Sequence, residues 1–188
     1  MIRLAFFVAI ASAWTAALVV VGAYAGWTFV AMKQAGVTNL ADPSFAGIEA
    51  EMLSRYVGGQ ITRMPFDVMS WSSIYIPALL SLFIGGIPAQ PLGPMRWLRR
   101  GVIALLGVAV LVAIALTMSG IELRDASAQY WAAVVAHDAS AAALAKDAFD
   151  AVHGRAQSIY LSMTGIASLS TVLGAVFLTR RSAIISRI

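Results

Sequence analysis

Four long stretches of the chain contain no Asp, Glu, Lys, Arg or His, and polar connections separate them. They are residues 4–32, 68–95, 101–121 and 156–179. A helix needs roughly 20 apolar residues to cross the hydrocarbon core of a bilayer, where it satisfies its own backbone hydrogen bonds. The pattern therefore predicts an all-α fold: an antiparallel bundle of four transmembrane helices in one membrane domain, residues 1–188. The predicted spans are residues 4–32, 68–87, 101–121 and 156–179.

The connection between the first two spans, residues 33–67, carries a helical pattern of its own. Asp42 is a suitable N-cap and Pro43 a suitable first helical residue. Apolar residues then recur at steps of three and four, which is the spacing of one helix face. We predict an amphipathic helix at about residues 43–58 outside the membrane, with Gly58-Gly59 and Pro65 marking its end.

The connection between the third and fourth spans, residues 122–155, is rich in helix formers and contains no proline. It predicts a helical hairpin that breaks near His137, with Asp138 or Ser140 capping the second helix. That second helix should continue without interruption from about residue 140 to 179, which is roughly twice the thickness of the bilayer core. We expect the hairpin to bury one stripe of side chains: Trp131, Val135, Leu144, Phe149 and Val152.

The connection between the second and third spans differs from the other two. It contains Pro88, Pro91 and Pro94, and proline removes a backbone donor and clashes inside a helix. We therefore expect residues 88–100 not to be helical. Trp97, which stands among arginines, is a suitable anchor at the level of the lipid headgroups.

Charge adds an orientation. The chain is 60% hydrophobic and 12% charged, whereas soluble domains have about 25% charged residues. The two termini and the proline-rich connection together carry seven basic residues and no acid, and the other two connections carry all nine acids and six bases. Because basic residues stay on the cytoplasmic side, we predict a bacterial inner-membrane protein with both termini in the cytoplasm. The bases are scattered, so no nucleic-acid partner is expected.

The sequence offers little chemistry inside the membrane. Pumps and ion-coupled carriers place charged or histidine residues within the bundle, and none of the four spans contains one. The chain has no cysteine, no phosphate-binding loop and no hydrolase or metalloprotease motif. We therefore expect a non-enzymatic protein with no tightly held cofactor.

The residues "FDAVHGRAQSIY" contain the best candidate for a metal site. Asp147, Asp150 and His153 fall on one helix face, and an acid three residues before a histidine is a pair that binds metals in helical bundles. Met64 is the methionine that we add as a ligand, because thioethers and imidazole suit copper. Further methionines in or near the outer half are Met32, Met52, Met69, Met118 and Met163. The alternative is that His153 only packs against a carboxylate or carbonyl, and that the methionines fill the core.

Small residues mark two possible packing seams. Gly22 and Gly26 form a GxxxG pair in the first span, and Ser170 and Gly174 lie four residues apart in the fourth. Small side chains allow membrane helices to approach closely. We expect these four residues, with Trp131, to serve packing within the chain or with a partner.

Three segments, "VVVGAYAGWTFVAM", "FAGIEAEML" and "DAFDAVHGRAQSIY", resemble an uncharacterised family of four-helix bacterial membrane proteins. That family, a domain of unknown function, also includes a eukaryotic transmembrane protein associated with cisplatin resistance, and it is similar to copper-resistance membrane proteins. The resemblance implies the four-helix fold, keeps copper as a candidate ligand and marks His153 as a possible key residue. The chain departs from the family pattern in lacking a proline after the first helix and an amide soon after His153.

These observations favour one function and leave two others open. We expect an accessory or assembly subunit that packs, within the lipid bilayer, against a larger respiratory or photosynthetic membrane complex, or forms a homo-oligomer. The second hypothesis is a protein that binds a metal or a hydrophobic ligand at the outer rim. The third is a small channel or exporter, which the uncharged spans disfavour.

Overall fold

The computed structural model describes residues 2–37, 40, 43–87 and 93–185. Within these ranges the chain forms four long helices, and no β-strand occurs among the described residues. The helices are α1 (Ile2–Ala35), α2 (Ala50–Gly85), α3 (Gly93–Val135) and α4 (Ala139–Ile185). Each is long and apolar enough to cross a membrane, so the prediction of an all-α protein with four candidate spans is confirmed. Asp42, the predicted N-cap, and Pro88 and Pro91 of the predicted non-helical connection lie outside the described ranges.

The separate outer helix predicted at residues 43–58 is wrong in both of its boundaries. Residues Pro43–Phe45 form only a short 3-10 turn, and Gly47 then takes a positive φ of 81°, a conformation that ends a right-handed helix. Helix α2 begins afterwards, at Ala50, and continues to Gly85. The expected outer helix is therefore the first part of the second span and not an element of its own.

Gly58-Gly59 does not end this helix because Gly58 serves a close contact. A Cβ atom at Gly58 would lie 3.0 Å from Cδ1 of Phe29, so glycine allows α2 to approach the Phe29 ring on α1. The hydroxyl of Thr62 also donates to the carbonyl of Gly58, at 2.9 Å. Pro65 lies further along the same helix, and the helix continues past it although proline has no backbone N–H to donate.

The expectation that residues 88–100 are not helical is also wrong for the second half of that range. Helix α3 begins at Gly93, so Pro94 falls in its first turn. The backbone N–H groups of a first helical turn have no partner within the helix, and proline is tolerated there for that reason. Residues 95–100 consequently continue the third span toward its N-terminus.

The break between α3 and α4 is confirmed. Helix α3 ends at Val135 and α4 begins at Ala139, and His137 between them has a φ of 55°, which a continuing helix does not permit. The carboxylate of Asp138 accepts hydrogen bonds from the backbone N–H groups of Ser140, at 3.1 Å, and Ala141, at 2.9 Å. Asp138 is therefore the N-cap of α4. The uninterrupted helix predicted through residues 140–179 is present within α4.

The chain divides into two compact units, and each of the four helices contributes a segment to both. The first unit comprises Met1–Val19, Met69–Ala115 and Ile159–Ile188, and the second unit comprises Val20–Val68 and Leu116–Ser158. In the first unit every helix turns one stripe inward, with buried residues at alternating steps of four and three. The stripes are Phe7, Ala11, Trp14 and Leu18; Ser73, Pro77, Leu80 and Ile84; Val102, Leu106, Ala109 and Ala113; and Met163, Ala167, Ser170 and Gly174. This spacing is typical of helices that pack lengthwise in a bundle.

Hydrogen bonds between helices supplement the apolar core of the first unit. The indole Nε1 of Trp14 donates to the hydroxyl of Ser73 at 3.0 Å, and both side chains are buried. The hydroxyl of Tyr160 donates to the backbone carbonyl of Leu18. Such bonds between membrane helices contribute on average about 0.6 kcal/mol each, so they fix the register of the helices more than they stabilise the fold.

The second unit has fewer fully buried residues. Leu53 and Val134 are buried, and Trp131, Phe149 and Val152 are half-buried. Leu144, which the sequence pattern placed on the buried stripe of the hairpin, is 76% exposed, and that assignment is wrong. The first turns of α4, which contain Leu144, show mostly exposed positions, so an apolar side chain there has no core to enter.

Candidate functional site

Both histidines and all nine acidic residues fall in the second unit, together with six of the thirteen basic residues. All six of these bases form ion pairs with carboxylates of the same unit. The pairs are Lys33–Glu51, Arg55–Glu51, Arg63–Asp67, Arg124–Asp67, Lys146–Asp150 and Arg155–Glu122. The partners are largely exposed, and such surface pairs contribute little stability individually. Their effect is to leave the second unit without a free basic patch.

Six aromatic rings of the second unit form a row in which each ring contacts the next, and we name them the aromatic series. The series is Phe45, Tyr56, Trp131, Tyr130, Phe149 and His153, and its neighbouring ring centroids lie 4.8, 5.0, 4.9, 6.1 and 5.6 Å apart. These separations are those of favourable aromatic pairs. The series joins the 3-10 turn, α2, α3 and α4.

The aromatic series gives His153 a different neighbour from the one expected. The His153 ring stacks on Phe149 with an interplanar angle of 21°, and its side chain is exposed. Asp150, its proposed partner, pairs with Lys146 instead. The reason is positional, because Lys146 stands one helical turn before Asp150, where oppositely charged side chains meet.

The other two proposed metal ligands, Asp147 and Met64, are exposed side chains. Asp147 is exposed on α4, and Met64 is 74% exposed on α2. Over the described residues, no three or more His, Cys, Asp or Glu side chains come together in a way that could hold a metal ion. Met163 is fully buried and Met69 nearly so, which is the position of core-filling methionines. The metal site therefore stays a prediction from the sequence.

The small residues proposed for packing separate into two kinds. Gly174 lies directly against Phe7 in the first unit, and a Cβ atom there would lie 2.2 Å from Cε1 and Cζ of that ring. Ser170 is fully buried beside it in the same stripe. Gly26, by contrast, is exposed and has no atom within 4 Å of its Cβ position, and Gly22 is half-buried. Gly174 thus permits a contact within the chain, whereas the space beside Gly26 is open.

Gly26 is the last member of a longer series of exposed small residues on α1. The series, which we name the small-residue face, is Ala5, Ala9, Ser12, Ala16, Val19, Ala23 and Gly26, all of them exposed. The members follow one another at alternating steps of four and three, so they share one side of the helix. Over its most apolar 18 residues α1 is 22% buried, against 33% for each of the other helices.

Trp131 and Asp138 both lie in the second unit, one in the aromatic series and the other at the start of α4. Trp131 is half-buried between Tyr56 and Tyr130, as a packing residue should be. Hydrogen bonds from the Ala141 backbone N–H and from the Ser140 hydroxyl hold the pKa of the Asp138 carboxyl below its ordinary value. The carboxylate is therefore charged at neutral pH, which suits the N-terminus of a helix.

The aromatic series and the small-residue face were not predicted from the sequence. The rings of the series come from residues as distant as 45 and 153, so no local spacing connects them. The small-residue face could have been predicted, because its alternating steps of four and three are visible in the sequence.

The four apolar helices define the class: an all-α, multi-pass membrane protein. No family model, no curated protein and no solved structure matches the chain. The resemblance to the cisplatin-resistance-associated family, and the link to copper that it implies, stay predictions.

Proposed function

We propose that this chain is a non-enzymatic accessory or assembly subunit that packs against other membrane-embedded helices through the small-residue face of α1. The observation that supports the proposal is the side-chain size on that face. Six of its seven members are Ala, Ser or Gly. Helices associate in membranes through close backbone approach, which small side chains allow.

The exposed side of α2 provides the comparison. Its exposed residues in the first unit include Trp71, Tyr75, Leu79 and Leu82, which are 52 to 73% exposed. Large side chains of this kind have no need of a protein partner, because lipid tails are as apolar as leucine. A face of alanines and glycine on α1 offers lipid less contact area, but it lets the backbone of a second helix come near.

The opposite side of α1 is already occupied. Phe7, Ala11, Trp14 and Leu18 form its buried stripe in the first unit. The helix therefore has one side in the core of its own chain and one side available to a partner. A subunit that joins a larger complex needs this two-sided arrangement.

The absence of cysteine from the chain makes a crosslinking test clean. Ser12→Cys places a thiol on the small-residue face. Tyr24→Cys is the control, because Tyr24 is also exposed but is not three or four residues from any member of that face and so lies on another side of the helix. Both variants would be expressed in their native membrane, treated with a short thiol crosslinker, and extracted in mild detergent.

The proposal expects Ser12→Cys to crosslink to a different polypeptide and Tyr24→Cys to give much less product. The native mass of the unmodified protein should then exceed one or two chains. A crosslink only to a second copy of the chain would replace the accessory role with a homo-oligomer. A protein that stays a monomer and gives no specific crosslink would contradict both.

Metal analysis of the same native peak tests the second hypothesis, a metal-binding protein. Stoichiometric copper, zinc or iron in a species of one or two chains would favour that hypothesis.

A further inference from the structure

The charges of the first unit are all of one sign. Its segments contain no Asp or Glu, but they contain seven arginines. These are Arg3, Arg96, Arg99, Arg100, Arg180, Arg181 and Arg187, of which Arg187 lies outside the described residues. None of the six described arginines forms an ion pair with a described carboxylate, in contrast to the six bases of the second unit.

Three of these arginines lie on helix ends that meet in the first unit. Arg3 is in the first turn of α1, Arg99 is near the start of α3 and Arg181 is near the end of α4. The ring centroids of Phe6 on α1 and Phe83 on α2 lie 5.3 Å apart, and Phe7 packs directly against Gly174 on α4. The Nε atom of Arg181 is buried, and no described residue accepts a hydrogen bond from it. Buried N–H groups almost always have an acceptor, so this position lacks a partner.

Arg99 has a fixed position in the group. Its Nε donates to the backbone carbonyl of Ile84 at 3.3 Å, and its Nη2 donates to the carbonyl of Gly85. These carbonyls belong to the last turn of α2, and that of Ile84 also accepts a hydrogen bond from the backbone N–H of Ile87 at 3.3 Å. A guanidinium has five N–H donors, so Arg99 retains donors for a further acceptor.

We propose that Arg3, Arg99 and Arg181 form a binding site for the phosphate group of an anionic phospholipid. Guanidinium groups bind phosphate through paired, charge-assisted hydrogen bonds. A phosphate would supply the acceptor that Arg181 lacks and would offset the repulsion among three like charges. Basic pockets between helices at the cytoplasmic side of a membrane bind lipid headgroups in this way.

Nearby residues favour a lipid over a soluble phosphate. Trp97 is 70% exposed, and the guanidinium of Arg100 lies 5.3 Å from its ring centroid. Exposed tryptophan beside arginine is typical of the headgroup region of a bilayer. Both residues lie within one turn of Arg99 on α3, so the site sits at the level where lipid phosphates are found.

The test is a titration of the full-length protein in detergent, followed by native mass spectrometry. Phosphatidylglycerol, phosphatidylcholine and inorganic phosphate are added separately, and phosphate is also added to the protein–phosphatidylglycerol complex. We expect phosphatidylglycerol to bind in preference to phosphatidylcholine, and millimolar phosphate not to displace it. Arg181→Gln should weaken the binding of phosphatidylglycerol about tenfold or more, as loss of a charge-assisted hydrogen bond predicts.

Arg180→Gln is the matched control, because it removes the same charge from the adjacent residue, whose side chain is exposed. It should retain the wild-type affinity within about twofold, as the loss of one screened surface charge predicts. Arg181→Lys keeps the charge without the planar fork and should bind with intermediate affinity. Circular dichroism and gel filtration confirm that each variant is folded.

Three results would overturn the proposal. Equal losses in Arg180→Gln and Arg181→Gln would mean that only the overall charge attracts the lipid. Unchanged binding in Arg181→Gln would remove Arg181 from any site. Displacement of the lipid by phosphate, with equal affinity for phosphate alone, would make the ligand a soluble anion and not a lipid.

Discussion

Gly174 offers the sharpest test of the packing in the first unit. It lies on α4 against the fully buried ring of Phe7. Replacing it with alanine would place a methyl group 2.2 Å from two carbons of that ring. Carbon atoms in contact prefer a separation of about 3.5–4.0 Å. The methyl group therefore cannot be accommodated unless Phe7 or the helix moves.

The expected magnitude follows from two opposing effects. Overpacking a buried site costs about 1–3 kcal/mol, and the upper end applies here because Phe7 has no exposed side toward which to move. Alanine also has a helix propensity that is better than that of glycine by about 1 kcal/mol. Gly174→Ala should thus lower the free energy of unfolding by about 2 kcal/mol, the net of these two effects.

Gly165→Ala is the matched control on the same helix. No neighbouring atom lies within 4 Å of the Cβ position of Gly165, so alanine meets no steric clash there. Only the better helix propensity of alanine applies, and this variant should be about 1 kcal/mol more stable than wild type. The free energy of unfolding would be measured in mixed micelles by titration with a denaturing detergent. Tryptophan fluorescence, to which Trp14, buried in the same unit, contributes, reports the transition.

A second substitution separates the steric contact from a general loss of structure. Phe7→Leu removes the two ring carbons that the new methyl group would meet. In the Gly174→Ala background, Phe7→Leu should therefore destabilise much less than it does alone, giving a coupling of about 2 kcal/mol in a double-mutant cycle. A coupling near zero, or a Gly174→Ala variant as stable as Gly165→Ala, would refute the packing described here.

Three further predictions concern the second unit. Trp131→Ala removes the ring that joins the aromatic partners on α2 and α3, and it should destabilise the unit by about 3 kcal/mol. The rate of amide hydrogen exchange at residues 45–56 should therefore rise. Trp97→Ala, which changes an exposed tryptophan, should leave that rate unchanged. Asp138→Ala removes the N-cap of α4 and should speed exchange at the amide of Ala141. Because the pKa of Asp138 is lowered in the folded protein, the same capping should be present at neutral pH and be lost as the pH falls through that pKa, below the ordinary value for aspartate. If a metal is bound, His153→Ala should abolish stoichiometric metal in the purified protein, and unchanged occupancy would remove His153 from the ligand set.

The sequence was most informative where long-range packing mattered least. Runs of uncharged residues predicted the four helices, and the short stretch around Asp138 predicted the break between α3 and α4. Both features follow from local rules, because a helix in lipid must satisfy its own hydrogen bonds and a helix N-terminus requires an acceptor.

Prediction failed where a local signal competed with a tertiary contact. Gly58 reads as the end of a helix, but it is a contact point for Phe29. Asp150 reads as a partner for His153, but Lys146 lies one turn away and holds it. In each case the residue that makes the contact could not be identified from sequence spacing alone, because several residues stood at a spacing that allows a contact.

The aromatic series implies an order of events when the chain folds. The contact between Tyr130 and Phe149 closes a loop of about 20 residues, and the contact between Tyr56 and Trp131 closes one of about 75. The longer closure costs about 1 kcal/mol more in chain entropy. The rings of the α3–α4 hairpin should therefore meet first, and α2 should join a surface that is already assembled.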